Sequence, residues 1–217
     1  MAKILITSGP TRQYLDPVRY ISNASSGRMG AALARAALDL GHDVTIISGP
    51  VTIDYPDGAT IVPVVTTDEM LEAATHHFQS CDGAIGAAAP CDYMPRFVND
   101  QKIAKTGEPL TLQLVETPDI VATLGQNKTA KQWVVGFALE TEDRRFRATV
   151  KLEKKHCDLI VSNGPSAIDS DENEVELIGR DGTVLLKVRS DKSSVASALV
   201  KEIDARLIRN AITPNPN

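Results

Sequence analysis

Lys3-Ile-Leu-Ile-Thr-Ser-Gly-Pro10 and, after a polar stretch, Gly30-Ala-Ala-Leu-Ala-Arg-Ala-Ala-Leu-Asp-Leu-Gly-His-Asp-Val-Thr-Ile-Ile-Ser48 decide the fold of this chain. The first run is short, apolar and β-branched, and Gly9-Pro10 stops it, as in a strand buried on both faces of a parallel sheet. Ala31 to Leu40 is rich in strong helix formers, and Gly41 supplies a C-terminal stop. Val44 to Ser48 is a second buried strand. Strand, long polar loop, helix and strand make a right-handed crossover unit whose loop lies at the carboxyl end of the first strand.

Outward from this unit the alternation continues. Ile61 to Val65 reads as a strand, Asp68 as the N-cap of a helix reaching Phe78, and the small-residue run Gly83 to Ala89 as another strand of a mostly parallel sheet. Asp92 to Thr117 breaks the rhythm. Pro95, Gly107 and Pro109 punctuate a stretch bearing Lys102 and Lys105, and Leu110 to Val115 alternates like an exposed strand. The segment is expected to be a mobile flap, with Asp92 to Gly107 loosely ordered until it closes over a ligand. Pro118 starts the next helix, Trp133 to Ala138 is a strand, Glu142 to Lys155 a helix and Asp158 to Ser162 a further strand. Asn173 to Ile178 and Thr183 to Val188, joined by Gly179-Arg-Asp-Gly182, form a hairpin. A helix from Ser193 to Arg209 then precedes a fraying Thr213 to Asn217. The expected architecture is α/β: a doubly wound, mostly parallel Rossmann-like sheet with a flap and a C-terminal β-hairpin plus helix, in a single domain over residues 1–217.

Composition agrees with this class. The chain has 217 residues, 42% of them hydrophobic and only 4% aromatic, so Ala, Val, Ile and Leu must build the core. A formal charge of -5 leaves no overall basic field for nucleic acid. No apolar run is long enough for a transmembrane helix, and Met1-Ala2-Lys3 leads directly into a strand without a signal peptide. Cys81, Cys91 and Cys157 are odd in number and widely spaced, which disfavours a disulfide framework or a zinc knuckle. His42, His76, His77 and His156 show no metal-ligand spacing and read as surface or packing residues. The expected compartment is the reducing cytoplasm.

Three groups of residues carry chemistry. Ser25-Ser26-Gly27-Arg28-Met29-Gly30 leads into the Ala-rich helix, whose unpaired N–H groups and dipole favour an anion; close packing of the helix on the sheet through Gly30 explains the same glycines equally well. Lys102 and Lys105 in the flap and Lys151, Lys154 and Lys155 on one helix form a cationic group in which Lys151 and Lys155, four apart on one face, could both address one triphosphate, although lysines on helix surfaces are ordinarily just solvated. Gly86-Ala-Ala-Ala-Pro-Cys-Asp-Tyr93 ends the central strand with side chains small enough to admit a base or ribose, or simply with a tightly packed core strand. The end of the second strand is Ser48-Gly49-Pro50, lacking the acidic ribose anchor of nicotinamide enzymes, and neither Tyr-x-x-x-Lys nor a Gly-Lys-Ser/Thr loop occurs.

Taken together these segments resemble a known family. Gly9-Pro-Thr-Arg-Gln-Tyr-Leu-Asp-Pro-Val-Arg-Tyr-Ile-Ser-Asn-Ala-Ser-Ser-Gly-Arg-Met-Gly30 is similar to the opening of phosphopantothenoylcysteine synthetase, the bacterial CTP-dependent phosphopantothenate–cysteine ligase of coenzyme A biosynthesis. Gly86-Ala-Ala-Ala with Asp92-Tyr93, Lys102-Ile-Ala-Lys105, Pro118-Asp-Ile-Val121, Val135-Gly-Phe-Ala-Leu-Glu-Thr141 and Asp158-Leu-Ile-Val-Ser-Asn163 follow in the family's order. The resemblance implies CTP as co-substrate, Mg²⁺ and a homodimer, with phosphopantothenate activated as an acyl-cytidylate that L-cysteine then intercepts. By the same resemblance Gly86, Ala87, Ala88, Asp92, Pro118, Asp119, Ile120, Val121 and Phe137 surround the nucleotide, and Lys102, Lys151 and Lys155 hold its phosphates. Lys102 stabilises acyl-cytidylate formation, Asn23 orients the acyl intermediate, and Ser25, Ser26 and Gly27 sit near the substrate's phosphate.

Departures from the family pattern are local. Gln13 stands where the family commonly has Glu, Arg28 where it has Lys, and Ala104 where its flap has another Lys. In many bacteria the domain follows a flavin-dependent decarboxylase on one chain; no such segment precedes Lys3, so FMN is not expected. A nicotinamide-dependent reductase or epimerase and a non-catalytic nucleotide sensor are the alternative readings. The exposed Leu110 to Val115 strand is a candidate dimer edge.

Overall fold

A computed structural model of the chain describes residues 1–139, 143–163 and 172–209. Six parallel strands form its centre: β1 (Lys3–Ser8), β4 (Asp43–Ser48), β5 (Thr60–Pro63), β6 (Gly83–Gly86), β9 (Trp133–Leu139) and β10 (Leu159–Asn163). Two antiparallel strands, β11 (Glu172–Gly179) and β12 (Val184–Asp191), extend one edge to give the order β12-β11-β10-β9-β6-β1-β4-β5. The direction of winding reverses between β1 and β6. At such a point the loops leave in opposite directions and open a crevice at the carboxyl ends of the strands.

Helices cover both faces. α1 (Arg28–Asp39) and α5 (Lys192–Ile203) pack on one side, where Leu33, Ala34, Ala37, Val195, Ala196 and Leu199 meet Ile4, Ile6 and Ile46. α2 (Thr67–Phe78), α3 (Ile120–Asn127) and α4 (Arg144–Lys154) cover the other, where Met70, Ala74, Leu124, Ala148 and Leu152 meet Leu5, Ile47 and Ile160. Neighbouring residues of one strand thus serve opposite layers, which is why the strands read as continuous apolar runs. Each buried Ile or Leu contributes about 1.5–3 kcal/mol relative to leaving it in water. No helix among the described residues is long and apolar enough to cross a membrane.

Several boundaries differ from expectation for identifiable reasons. α2 is capped by Thr66, whose hydroxyl accepts the Glu69 N–H while the Glu69 carboxylate returns to the Thr66 N–H; this reciprocal box outcompetes Asp68 as cap. α3 starts after Asp119, since its carboxylate takes the Ala122 N–H and Pro118 remains outside. α1 begins at Arg28, two residues before Gly30, because Gly27 with a φ of 77° makes the turn into it. The expected strand Gly83 to Ala89 ends at Gly86, with Ala89 making an isolated bridge to Pro10. The terminal helix passes at Asp204 into a π-helical segment that ends at Arg209. The expected helix start at Glu142 and the expected fraying of Thr213 to Asn217 lie outside the described residues.

The polar loop after β1 contains a hairpin of its own, β2 (Arg12–Asp16) with β3 (Arg19–Ser22). Its turn is built by the Asp16 carboxylate, which accepts the N–H groups of Val18 and Arg19 at 2.9 Å each. Across the hairpin the Arg12 guanidinium lies 4.5 Å from the Tyr20 ring centre, and Tyr14 meets Tyr20 edge to face. In the flap, the expected strand Leu110 to Val115 is reduced to β8 (Leu114–Glu116), which pairs antiparallel with β7 (Tyr93–Pro95) and closes the flap at its base.

Candidate functional site

At the reversal between β1 and β6 a cavity of about 460 Å³ opens. Thr7, Gly86 and Ala88 form its floor, Pro90 to Tyr93 and Glu116 to Ala122 its walls, and Gln126, Phe137, Lys154 and Lys155 its far side. The small residues of β6 have a packing reason. A Cβ at Gly86 would lie 2.4 Å from Val121 Cγ2, and one at Gly83 would lie 2.0 Å from the Trp133 indole. The strand is therefore small because α3 and β9 press against it, and the cavity opens beyond the contact.

α3 aims its N-terminus at this space. Asp119 caps it through one carboxylate oxygen, 3.0 Å from the Ala122 nitrogen, and the other oxygen lies 3.0 Å from Lys155 Nζ. The contact follows from a close crossing, since a Cβ at Gly125 would stand 2.0 Å from the Lys155 carbonyl oxygen. The free amides at the start of α3, its dipole and the Lys155 ammonium thus border one polar cavity that Lys154 also lines, an arrangement suited to phosphate oxygens.

A buried hydroxyl relay holds the opposite wall. The Cys91 N–H donates to Thr11 Oγ1 at 2.8 Å, the Thr11 and Thr67 hydroxyls hydrogen-bond each other at 2.8 Å, and the Thr117 hydroxyl donates to the Cys91 carbonyl at 2.5 Å. The Cys91 thiol donates to the Thr11 carbonyl, and burial pushes its pKa up. It stays a neutral thiol near pH 7, and a thiol in that state is a poor nucleophile.

The cavity brings together Gly86, Ala88, Asp92, Pro118, Asp119, Ile120, Val121, Phe137 and Lys155, as the sequence suggested. Ala87 packs against the α1/α5 core instead. Lys151 does not border the cavity, whereas Lys154 does. Helical spacing paired Lys151 with Lys155, and the Lys155 N–H does bond the Lys151 carbonyl at 2.9 Å, but of the pair only Lys155, at the end of the helix, reaches the cavity, where it meets Asp119. Tyr93, quoted with its motif but given no role, lines the space too, and Thr7, Thr117 and Gln126 also line it and went unnoticed. Gln126 stands four residues after Ala122 on α3, a signal that could have exposed it.

The substrate-side residues sit beside this cavity. Asn23 Nδ2 donates to the carbonyls of Ala89 at 3.2 Å and Pro90 at 2.8 Å, tying the loop before α1 to the cavity wall. Ser25 and Ser26 lead to Gly27, whose carbonyl accepts the Ser8 hydroxyl at 3.2 Å. Lys102 is exposed in the flap and does not line the cavity. At the end of β4 the Ser48 hydroxyl is engaged with Tyr55 OH and the Gly49 carbonyl, both at 2.8 Å. A Cβ at Gly49 would lie 1.7 Å from the Pro10 carbonyl oxygen, so this corner is filled, against a ribose seated there in the dehydrogenase manner.

Among the described residues no group of three or more His, Cys, Asp or Glu side chains is placed to hold a metal ion. Asp92, Glu116 and Asp119 border the cavity as separate carboxylates.

Comparison with known proteins agrees with the geometry. The profile of a family described as DNA/pantothenate metabolism flavoprotein C-terminal domain matches residues 1–207. The Coenzyme A biosynthesis bifunctional protein CoaBC of Haemophilus influenzae is 40% identical over 206 residues, which is 94% of this chain and 51% of that protein. The CoaBC of Escherichia coli K12 is 41% identical over 210 residues, 94% of this chain and 52% of that protein. The chain thus spans about half the length of these relatives. A crystal structure of the C-terminal domain of CoaBC superimposes with a TM-score of 0.81 at 38% identity, covering 94% of this chain and 95% of that one. The DNA/pantothenate metabolism flavoprotein from Streptococcus pneumoniae shares the fold, with a TM-score of 0.81 at 24% identity over 94% of this chain and 99% of that one.

Proposed function

The chain belongs to the family of DNA/pantothenate metabolism flavoprotein C-terminal domains, and from that membership we propose that it is a phosphopantothenate–cysteine ligase of coenzyme A biosynthesis that uses CTP. The observation that carries this reading is the cavity at the β1/β6 reversal, where the capped N-terminus of α3, the Lys155 ammonium and Lys154 border the space above the small-residue floor of β6. Phosphates suit the cationic side, and the base and ribose suit the space between Gly86, Ala88 and Phe137.

In the first step a carboxylate oxygen of phosphopantothenate attacks the α-phosphorus of CTP, forming the acyl-cytidylate and breaking the bond to pyrophosphate. In the second the cysteine amine attacks the acyl carbon, CMP leaves with the acyl oxygen, and the amine gives up a proton. A carboxylate is a poor electrophile until such a leaving group is attached, and the first step places growing charge on the triphosphate. Lys155 and Lys154 meet that charge at the cavity, and Lys102 reaches toward it from the flap. Asn23, through the Ala89 and Pro90 carbonyls it already holds, fixes the loop on which the acyl group lies. Mg²⁺ suits this site as an ion carried mainly by phosphate oxygens and water, with Asp92 as the protein's carboxylate; when bound it neutralises triphosphate charge.

A second copy of the chain is the proposed partner. Phe97, Val98, Leu110, Leu112 and Leu114 leave large apolar surfaces exposed around β7 and β8, which fits homodimer formation there; a monomeric mass by light scattering would exclude it.

The test of the whole reading is pyrophosphate release from CTP, measured alone, with phosphopantothenate, and then with cysteine. Release should require phosphopantothenate, CMP should require cysteine, and CTP should be used much better than ATP. Equal or better efficiency with ATP would overturn the nucleotide assignment.

A further inference from the structure

An ion pair outside the cavity holds the flap to the β2–β3 hairpin. The Asp16 side chain is completely buried (0% exposed) at the end of β2. Besides the Val18 and Arg19 amides it accepts Arg19 Nε at 2.9 Å, the second guanidinium nitrogen of Arg19, and the Ile103 N–H at 3.1 Å. Arg19 Nη2 in turn donates to the Ile103 carbonyl at 2.7 Å. The peptide of one flap residue is thus gripped at both its donor and its acceptor by one Asp–Arg pair. The Arg19 guanidinium holds the Asp16 carboxyl well below the usual carboxylate range, so the pair stays charged at any ordinary pH. Nearby the Asn99 N–H donates to the Leu15 carbonyl at 2.9 Å, a second tie to the same hairpin.

Among the described residues from 100 to 105, the hydrogen bonds all run through Ile103. Lys102 precedes it directly. An exposed lysine on a loop has about 2 kcal/mol of rotamer freedom and a mobile backbone beneath it, and a charge can meet a transition state only where its backbone is fixed. We propose that Asp16 is a positioning residue for Lys102: with Arg19 it pins the Ile103 peptide, and so sets the backbone from which Lys102 reaches the triphosphate during pyrophosphate release. This rests on the reading of Lys102 in the first half-reaction given above. The bonds to Val18 and Arg19 alone would make Asp16 a turn-former for the β2–β3 hairpin, and the two roles are separable by experiment.

Single-turnover pyrophosphate release from CTP with phosphopantothenate is measured on the full chain for Asp16→Asn, Lys102→Gln and the double variant. Asp16→Asn should lower the rate at saturating CTP by about tenfold or more with the KM for CTP within about threefold, and should speed amide exchange at Ile103. On top of Lys102→Gln it should cause no further loss, because residues acting as a unit are non-additive. If Asp16→Asn fails to fold, Arg19→Gln removes the grip on the carbonyl while leaving the turn bonds of Asp16, and the same pattern is expected. A loss that multiplies with that of Lys102→Gln, or that falls in KM, or an unchanged rate, overturns the positioning role. If Lys102→Gln itself keeps full release, the reading of Lys102 fails and the positioning role falls with it.

Discussion

At the scale of single residues, Asn23 is the clearest case of a side chain whose contacts define its substitution. Its amide donates to two carbonyls, Ala89 and Pro90, on the wall of the cavity. Asn23→Asp puts a carboxylate where a donor stood, so two hydrogen bonds become repulsions, at about 1 kcal/mol lost for each bond before the repulsion is added. The loop before α1 should swing away from the wall while the triphosphate side keeps its cations. Acyl-cytidylate should then form but turn over slowly, with the cysteine step down by about tenfold or more. Quenched-flow separation of acyl-cytidylate, CMP and pyrophosphate would show it, and equal loss in both steps would refute the assignment. Asn23 itself was legible because it lies in a distinctive motif, whereas Thr7, Thr117 and Gln126 were not. Thr and Gln occur everywhere on surfaces, and only the tertiary path of β1, the flap base and α3 turns these three toward one space.

At the scale of elements, the β-loop-helix-β unit was readable because Ile4 to Ser8, Ala31 to Leu40 and Val44 to Ser48 each agree in propensity and pattern with their place in the sheet. The β2–β3 hairpin was hidden. Its turn depends on one aspartate carboxylate, and its strands, Arg12–Asp16 and Arg19–Ser22, lack the apolar alternation that marks a half-buried strand. The glycine-rich entry to α1, left even between phosphate binding and packing, has a strong packing component. A Cβ at Gly30 would stand 2.1 Å from Ser8 Oγ and 2.5 Å from Ser8 Cβ, so the helix lies on β1 with no room between. Gly30→Ala should therefore push α1 off the sheet and destabilise the fold by about 1–3 kcal/mol. Removing the obstacle with Ser8→Gly in the same chain should recover most of that loss relative to Ser8→Gly alone, leaving the 3.3 Å approach to Ser8 Cα. Denaturant midpoints of the four proteins check this; full additivity of the two substitutions would show that the crowding lies elsewhere.

At the scale of the whole molecule, the first strand is fastened to the far end of the chain through His42, which sequence reading assigned only to surface or packing. It is buried, and its Nδ1 accepts the Ala2 N–H at 3.2 Å, which places the ring proton on Nε2, 3.5 Å from the equally buried Asp204 carboxylate where α5 gives way to the π-helical segment. Arg209 pairs with the same carboxylate, Nε to Oδ2 at 2.6 Å, and Asp43 and the amino terminus complete the charges acting on the ring. Burial holds the His42 pKa below its ordinary 6.5 and outweighs the pull of Asp204. The unfolded chain therefore takes up the proton first as pH falls. The stability that neutral His42 contributes is present in full above 6.5, and is lost as pH drops from there through the lowered folded value. The carboxylates with depressed pKa values, such as Asp191 at about 2 under the Ser194 hydrogen bonds, stay ionised throughout this window and add little to the slope. Thermal unfolding measured between about pH 7.5 and about pH 5.5 should show a fall in midpoint that His42→Gln, which keeps an acceptor for Ala2 and cannot titrate, flattens. An equal slope in both proteins would place the acid sensitivity in another group.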